Sequence, residues 1–467
     1  MNRQNFVGRD AEMKALRREL GRDRPSLIVM LGRRRVGKSR LLIKAVEGRP
    51  GVYYQATKVT ASDSLALFKA EVARSIGSDP VFEGLADWRS VLAYIEQASR
   101  RLPGLTVTLD EFPYLCDVDP SLPSVFQKFW DGVRESESPL NLILCGSKIS
   151  FMESLLAEKN PLHGRHSLRL EIDPLPYRDA ARFFPDWSDE DKLKAYAIFG
   201  GIPFYLNLAD PDQSLAENVI DLVLSKGAPL ADEPENLLQS ELRDVARYAT
   251  LLRAIADGCT SSADIIGRVK EFQNASALAP YVEKLSELRL VRIVRSLDAS
   301  PRERDRRYYL DDPFLAFWYH FYLPNASALW AGHAEDVYRL AIEPRMSDYM
   351  GGLFEWICRA HAQLYLQERL GVPARSVGQI WAKDFDIDVA GTLLDGSMLY
   401  GECKWWSDPV GSNILDHLID CSGKTAYGEG NPNRHFLLYS RSGFTRDVSK
   451  RAAALPSIHL FSPSDLL

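Results

Sequence analysis

The chain has 467 residues, of which 46% are hydrophobic, 10% aromatic and 26% charged, with a formal net charge of −6. That length predicts roughly two to four domains, and that balance excludes wholesale disorder. The mildly negative charge excludes a protein that grips nucleic acid through its bulk field, so any basic patch must be local. The six cysteines include no CxxC pair, and the eight histidines form no ligand-spaced cluster, which argues against a disulfide framework or a structural zinc. Cys145 and Cys403 lie in strand-like runs, as buried thiols of a reducing, cytoplasmic setting do. The opening "MNRQNFVGRD" does not read as a signal peptide, and no run approaches the roughly 20 apolar residues that cross a bilayer, so no membrane is expected.

The first strong element is "SLIVML" (26–31), an apolar run that reads as a buried parallel strand. "GRRRVGKS" (32–39) follows, and then the helical pattern "RLLIKAVEG". This is GxxxxGK[ST] between a strand and a helix. Gly32 and Gly37 let the backbone curl so that amides, with Val36 and Arg40 flanking them, point at phosphate oxygens. The following helix N-terminus favours the same anion. Lys38 would reach the terminal phosphates of ATP, and the Ser39 hydroxyl would ligate Mg2+. "LTVTLDEF" (105–112) supplies an acidic strand end: Asp110 to hold the metal and Glu111 to polarise the attacking water. "LNLILCGS" (140–147) ends at Ser147, a γ-phosphate or water sensor or a plain turn serine. With "GVYYQAT" (51–57) and "SLRLEI" (167–172), five strands alternate with helices, predicting a three-layer α/β domain with a parallel sheet. No NKxD accompanies the loop, which weakens a GTPase or kinase reading.

The DEF ending resembles the additional-strand, catalytic-glutamate class of P-loop ATPases. "FVGRDAEMKAL" (6–16) resembles the hhGRxxE motif of AAA+-related and STAND-type ATPases, which implies that Phe6 and Val7 pack on adenine. "FGGIPFYL" (199–206) resembles the lid motif of that group, which implies Gly201 and Pro203 near the nucleotide. "NPLHGRHS" (160–167) resembles the PLxGR segment of the archaeal-type ATPases. Arg165 is then an arginine finger, in cis or on a neighbour, or a structural ion-pair partner.

Residues 174–235 read as the small helices of a lid. "ELRDVARYATLLRAIADG" (241–258), "SADIIGRV" and "ALAPYVEKLSELR" read as three helices, and "LRLVRIVRSL" with "RRYYLDD" as a hairpin. Together they describe a winged helix-turn-helix over 236–312. Six arginines at 292–307 (Arg292, Arg295, Arg302, Arg304, Arg306 and Arg307) make a basic wing suited to DNA phosphates. The third helix offers only Lys284 and Arg289 among Glu283 and Glu287, so base readout is not expected, and such modules also serve as packing units. "YYLDDPFLAFWYHFYLPN" (308–325) resembles the segment that joins the winged helix to the last domain in the archaeal-type family. Locally it is an aromatic helix with Phe314, Phe317, Trp318, Phe321 and Tyr322 at helical spacing, in a linker over 313–345.

In 346–467, "KDFDIDVAG" (383–391) and "LYGECKWWSD" (399–408) read as two strands of a hairpin joined by "GTLLDGS". Glu402 and Lys404, two apart on a strand, face the same way. Asp388 lies on the polar face of the first strand. The set resembles the PD-(D/E)XK nuclease core. That resemblance implies that Asp388 and Glu402 hold a metal ion, with Glu355 on the preceding helix as a further carboxylate, and that Lys404 steadies the attacking water or the charged transition state. A core ion pair would give the same sequence. No proline precedes Asp388, and the later-helix glutamine has no clear counterpart, Lys424 being the nearest candidate.

The whole resembles the prokaryotic archaeal-type ATPase family that ends in a nuclease-like domain. The expected fold class is α/β: a three-layer P-loop ATPase core (1–173) with a parallel sheet, a helical lid (174–235), a winged helix-turn-helix, and a C-terminal α/β restriction-endonuclease-like domain. The expected function is Mg2+-dependent ATP hydrolysis coupled to action on DNA, with a homo-oligomer left open. The alternative is an ATP-switched, non-nucleolytic regulator that binds DNA or a protein partner.

Overall fold

The five apolar runs of the first third become one parallel sheet. In the computed structural model, which describes residues 6–299 and 306–467, the chain forms two units: Phe6–Leu175 with Ile202–Phe204, and Pro176–Gly201 with Tyr205–Leu467. In the first unit the strands are β1 (Ser26–Leu31), β2 (Gly51–Gln55), β3 (Thr106–Asp110), β4 (Asn141–Gly146) and β5 (Leu168–Glu171). They lie in the order β2-β3-β4-β1-β5 and all pair in parallel. β4 is thus inserted between the loop strand β1 and the acidic strand β3. Every residue of β1, β3 and β4 is buried, which is why these strands read as unbroken apolar runs rather than alternating ones. Their polar ends, Gly32, Asp110 and Ser147, therefore gather at one edge of the sheet, where ligands bind in open α/β folds. The core under the helices is aliphatic with aromatic contacts set into it: Phe68 stacks on Trp88 at 4.9 Å, and Phe112 meets Phe126 edge-on at 5.2 Å.

The second unit begins with short helices, among them Tyr177–Ala181, Asp189–Phe199 and Leu215–Val219. Helices Val245–Ala256, Ser262–Arg268 and Ala275–Glu287 follow, then an antiparallel hairpin of β6 (Val291–Val294) and β7 (Arg307–Leu310). Their starts are encoded locally. Ser261 and Asp264 form a reciprocal capping box, and Asn274 accepts from the Ala277 N–H at 2.9 Å. Gly258, at φ +93, turns the chain out of the first of the three.

The expected six-arginine wing is corrected by the structure. The Arg292 guanidinium stacks over Trp356 at 4.6 Å and Tyr309 at 5.4 Å, and Arg307 stacks over Trp381 at 4.3 Å. Burial, reinforced by Arg359, pushes Arg292 down to about 10. These two half-buried side chains pack on aromatic rings of their own unit, because a weakly hydrated planar cation packs well on an aromatic face. Arg295 and Arg306 are exposed; Arg302 and Arg304 lie outside the described residues. Past β6 the chain runs onto a sheet edge: the Leu297 N–H donates to the Gln379 carbonyl at 3.0 Å and the Trp381 N–H to Ser296 Oγ at 3.2 Å.

That edge belongs to β8 (Ala374–Trp381) of a second sheet, with β9 (Asp386–Leu393), β10 (Met398–Lys404), β11 (Arg434–Ser440) and β12 (Ile458–Phe461). The order is β12-β11-β10-β9-β8. β8, β9 and β10 form an antiparallel meander, and β10, β11 and β12 are parallel. The β9–β10 turn is the expected one: Gly396 takes φ +89, and Asp395 accepts from the Ser397 N–H and hydroxyl at 2.9 and 2.6 Å. Covering 296–297 protects an edge that would otherwise present unpaired backbone groups. Helix Met346–Leu364 packs on β8, β9 and β10, while helix Ser412–Lys424 closes a core with Ile387, Tyr400 and Leu438. The aromatic linker departs from a single helix. Asp312 caps Pro313–Phe317 through the Leu315 N–H at 3.0 Å, a π-helical turn occupies Trp318–Tyr322, and Leu323–Trp330 follows. Phe314, Phe317, Trp318 and Phe321 are buried as the spacing predicts, and Tyr322 stacks on Trp318 at 5.2 Å. No helix among the described residues is long and apolar enough to cross a membrane.

Candidate nucleotide site and a carboxylate cluster

The loop after β1 has its shape because two positions tolerate no side chain. A Cβ on Gly32, at φ +156, would stand 2.4 Å from the Ile172 carbonyl oxygen. Gly37, at φ +92, sits at the N-cap of helix Lys38–Val46. The loop curls around the Lys38 ammonium, which donates to the carbonyls of Gly32 at 2.8 Å and Arg33 at 2.9 Å. Val36 is fully buried, Arg40 exposed on the first helical turn. Arg9 braces the loop from outside: it donates to the Val36 carbonyl at 3.1 Å and the Asp173 carbonyl at 2.6 Å, and its other arm meets Glu12 at 3.0 Å. Phe6 lies under the Lys44 ammonium at 4.2 Å, and both Phe6 and Val7 are half-buried. Pro203 lies 3.7 Å from where a Gly37 Cβ would stand, and Phe204 lies under Arg35 at 4.5 Å. Gly201 occupies the turn that leads into Pro203.

At the end of β3, Ser39 Oγ donates to Asp110 Oδ2 at 2.5 Å, and Tyr53 on the neighbouring strand donates its hydroxyl to the same oxygen at 2.7 Å. Burial first, and Asp110 second, push the Tyr53 hydroxyl far above its ordinary range, so it stays a proton donor. Ser39 and Asp110 present hard oxygen donors side by side, the set Mg2+ takes alongside nucleotide phosphates. Glu111 stands in the left-handed region at φ +55. Its Oε2 accepts both the Ser147 N–H at 3.0 Å and the Ser147 hydroxyl at 2.8 Å. The predicted Lys38, Ser39, Asp110, Glu111 and Ser147 therefore converge. Arg165 is held in a two-pronged ion pair with Asp131, at 2.8 and 3.0 Å, so of its two expected roles the structure supplies a partner for the structural one.

In the second unit, Lys404 Nζ lies 2.5 Å from Glu402 Oε1, at the end of β10. Asp388 Oδ2 accepts the Cys403 N–H at 2.9 Å across the strands. Arg359 donates to the Asp388 carbonyl at 2.7 Å and lies 3.4 Å from Glu355. Burial, then Asp388, raises Glu355 to about 7; burial, then Glu402, raises Asp388 to about 7. Glu402 is raised by burial against the pull of Lys404. The four predicted side chains thus share one neighbourhood. Yet among the described residues no three His, Cys, Asp or Glu side chains stand close enough to hold a metal ion. The expected ligand trio Asp388, Glu402 and Glu355 is not assembled in this conformation, because Lys404 and Arg359 each engage one carboxylate.

Sequence reasoning missed Tyr53, Arg9 and Arg359. Tyr53 gives no local signal, being one tyrosine of "GVYYQ" that the strand register brings to Asp110. Arg9 stood inside a recognised motif without an assigned task. Arg359 lies four residues after Glu355 on a helix, a spacing that announces an ion pair.

Comparison with known proteins matches residues 6–209 to a family described as an ATPase domain predominantly from Archaea, and residues 318–413 to one described as archaeal and bacterial proteins of unknown function. Uncharacterized protein MJECL04 of Methanocaldococcus jannaschii is 30% identical over 408 residues, 86% of this chain and 87% of that one. The Walker-type ATPase PABY2304 of Pyrococcus abyssi superposes with a TM-score of 0.52 at 21% identity, over 68% of this chain and 97% of that one, a likeness of fold. The ORC2 protein of Aeropyrum pernix follows at a TM-score of 0.45 and 15% identity, over 70% and 97%. With a curled glycine loop on a parallel five-stranded sheet, and a relative alike over most of both lengths, this chain belongs to the archaeal-type ATPase family.

Proposed function

We propose that the protein binds and hydrolyses ATP with Mg2+ in its first unit and uses that cycle to control action on DNA by its second. The observation that carries the ATP reading is the meeting of Ser39 and Tyr53 on Asp110, next to Glu111, at the mouth of the loop that holds Lys38. Bound Mg2+ would neutralise the developing charge on the phosphates. Loop amides and Lys38 would bind and orient the β- and γ-phosphates, with Phe6 and Val7 beside the base. Ser39 and Asp110 would hold the metal, and Glu111 would take a proton from the attacking water. Ser147 orients the Glu111 carboxylate. A Lys38→Ala variant should lose ATP turnover; turnover at the wild-type rate would remove Lys38 from the site.

For the second unit, the three helices and hairpin of 245–310 support a winged helix, and the mixed sheet carrying Asp388, Glu402 and Lys404 supports a PD-(D/E)XK nuclease-like domain. Metal-dependent cleavage is the leading reading: neighbouring half-buried carboxyls, all raised, are groups a divalent cation would strip of protons and hold. A second reading, a non-nucleolytic regulator, is favoured by the short Lys404–Glu402 pair and by the Arg292 and Arg307 packing that withdraws cations from the wing. Nicking of DNA with Mg2+ or Mn2+ that Asp388→Ala abolishes supports the first. No nicking, or nicking unchanged in the variant, supports the second.

A further inference from the structure

The dipeptide after β10 sends its two tryptophans in opposite directions. Trp405 is buried, its ring 4.9 Å from Phe354 and 5.6 Å from the Arg441 guanidinium. Trp406 leaves 41% of its surface in solvent. Its backbone is pinned on both sides: Ser347 Oγ donates to the Trp405 carbonyl at 3.2 Å and Ser442 Oγ to the Trp406 carbonyl at 2.7 Å. The Lys404 ammonium sits 5.6 Å from the centre of the Trp406 ring and 2.5 Å from Glu402. A flat aromatic face on a fixed backbone thus stands one cation away from the carboxylate cluster.

We propose that Trp406 is a stacking platform for an unpaired base, which makes single-stranded nucleic acid, or a strand end or flap, the substrate class of this site. The inference rests on reading the cluster as a nucleic-acid site. Inside an intact duplex both faces of each base are covered by neighbours, so an indole finds a face to stack on only at the ends. An unpaired base offers a free face of any sequence. Lys404, between the indole and Glu402, is placed to meet the phosphate attached to the stacked base.

The test is fluorescence anisotropy with labelled 20-nucleotide oligo-dT and oligo-U and a blunt duplex, in EDTA so that nothing is cut, on the full chain. The expected result is tighter binding of the single strands than of the duplex. Trp406→Ala should weaken single-strand binding about tenfold, Trp406→Phe should keep most of it, and both should retain the wild-type melting temperature. Binding unchanged in Trp406→Ala, a preference for duplex, or no binding of either strand type overturns the proposal. A Trp406→Ala protein that stops self-associating or loses a protein partner, with single-strand binding intact, also overturns it and makes the indole a protein contact. Cleavage assayed separately in Asp388→Ala reports on the nuclease reading alone: its failure beside Trp406-dependent binding leaves a single-strand binding site without chemistry.

Discussion

Ser147 gives both its backbone N–H and its hydroxyl to a single oxygen of Glu111, at 3.0 and 2.8 Å. The carboxylate is thereby aimed by the residue that follows the neighbouring strand β4. Glu111→Gln keeps the shape and removes the proposed base. ATP turnover should fall by about 100-fold or more, with nucleotide affinity retained. Ser147→Ala leaves the backbone donor in place and should cost turnover far less. Steady-state ATPase rates beside nucleotide binding isotherms separate the two effects.

Arg9 ties three separate stretches together: its own turn through Glu12, the loop through Val36, and the chain after β5 through Asp173. Arg9→Ala strands the buried Val36 carbonyl and removes the contacts to Asp173 and Glu12, and should lower stability by about 2 kcal/mol, seen as a lower denaturation midpoint with weaker ATP binding. Arg9→Lys should not restore it, because a point charge cannot reproduce the guanidinium fork.

Gly32 is fixed by space rather than by charge. In Gly32→Ala the added methyl would meet the Ile172 carbonyl oxygen at 2.4 Å, in a backbone conformation that side chains rarely adopt. The loop and the start of the 172–175 segment must separate, at a cost of about 1–3 kcal/mol, and nucleotide binding should be lost while far-UV circular dichroism stays native-like.

His361 predicts how the second unit responds to acid. Its Nδ1 lies 3.0 Å from the Tyr439 hydroxyl, and its ring packs edge-on to Phe461 at 4.9 Å. Burial, with Arg178 nearby, lowers it from 6.5 to about 4. A histidine lowered by folding binds its proton more readily when unfolded, so its contribution to stability is whole above pH 6.5 and is lost as pH falls from 6.5 toward 4. The loss is about 3 kcal/mol at most. His361→Gln should flatten the fall of the denaturation midpoint between pH 7 and pH 4.5 compared with wild type.

The parts of this molecule that the sequence disclosed are those whose cause is local. A strand buried on both faces must be apolar throughout, so Ser26–Leu31 and Asn141–Gly146 were visible as runs. The glycine loop and the Asp395–Gly396 turn depend on backbone freedom that only certain residues have. What depended on register or packing was hidden. Tyr53 reaches Asp110 because β2 pairs with β3 so that Gln55 stands opposite Asp110. The arginines of 292–307 read as one basic patch, but Trp356 and Trp381, distant in sequence, claim Arg292 and Arg307. Asp388, Glu402, Lys404 and Glu355 lie near one another, and the Lys404–Glu402 pair is the ion pair the sequence left open, whereas Arg359, which bonds the Asp388 carbonyl and lies beside Glu355, was not foreseen.

The central claim is that the loop of residues 32–39 captures the phosphates of ATP, and calorimetric titration of the purified full chain with ATP and MgCl2 tests it most directly. Saturable one-to-one binding, abolished in a folded Lys38→Ala variant, is the predicted result. An absence of heat from folded wild-type protein, or equal binding by the variant, would contradict it.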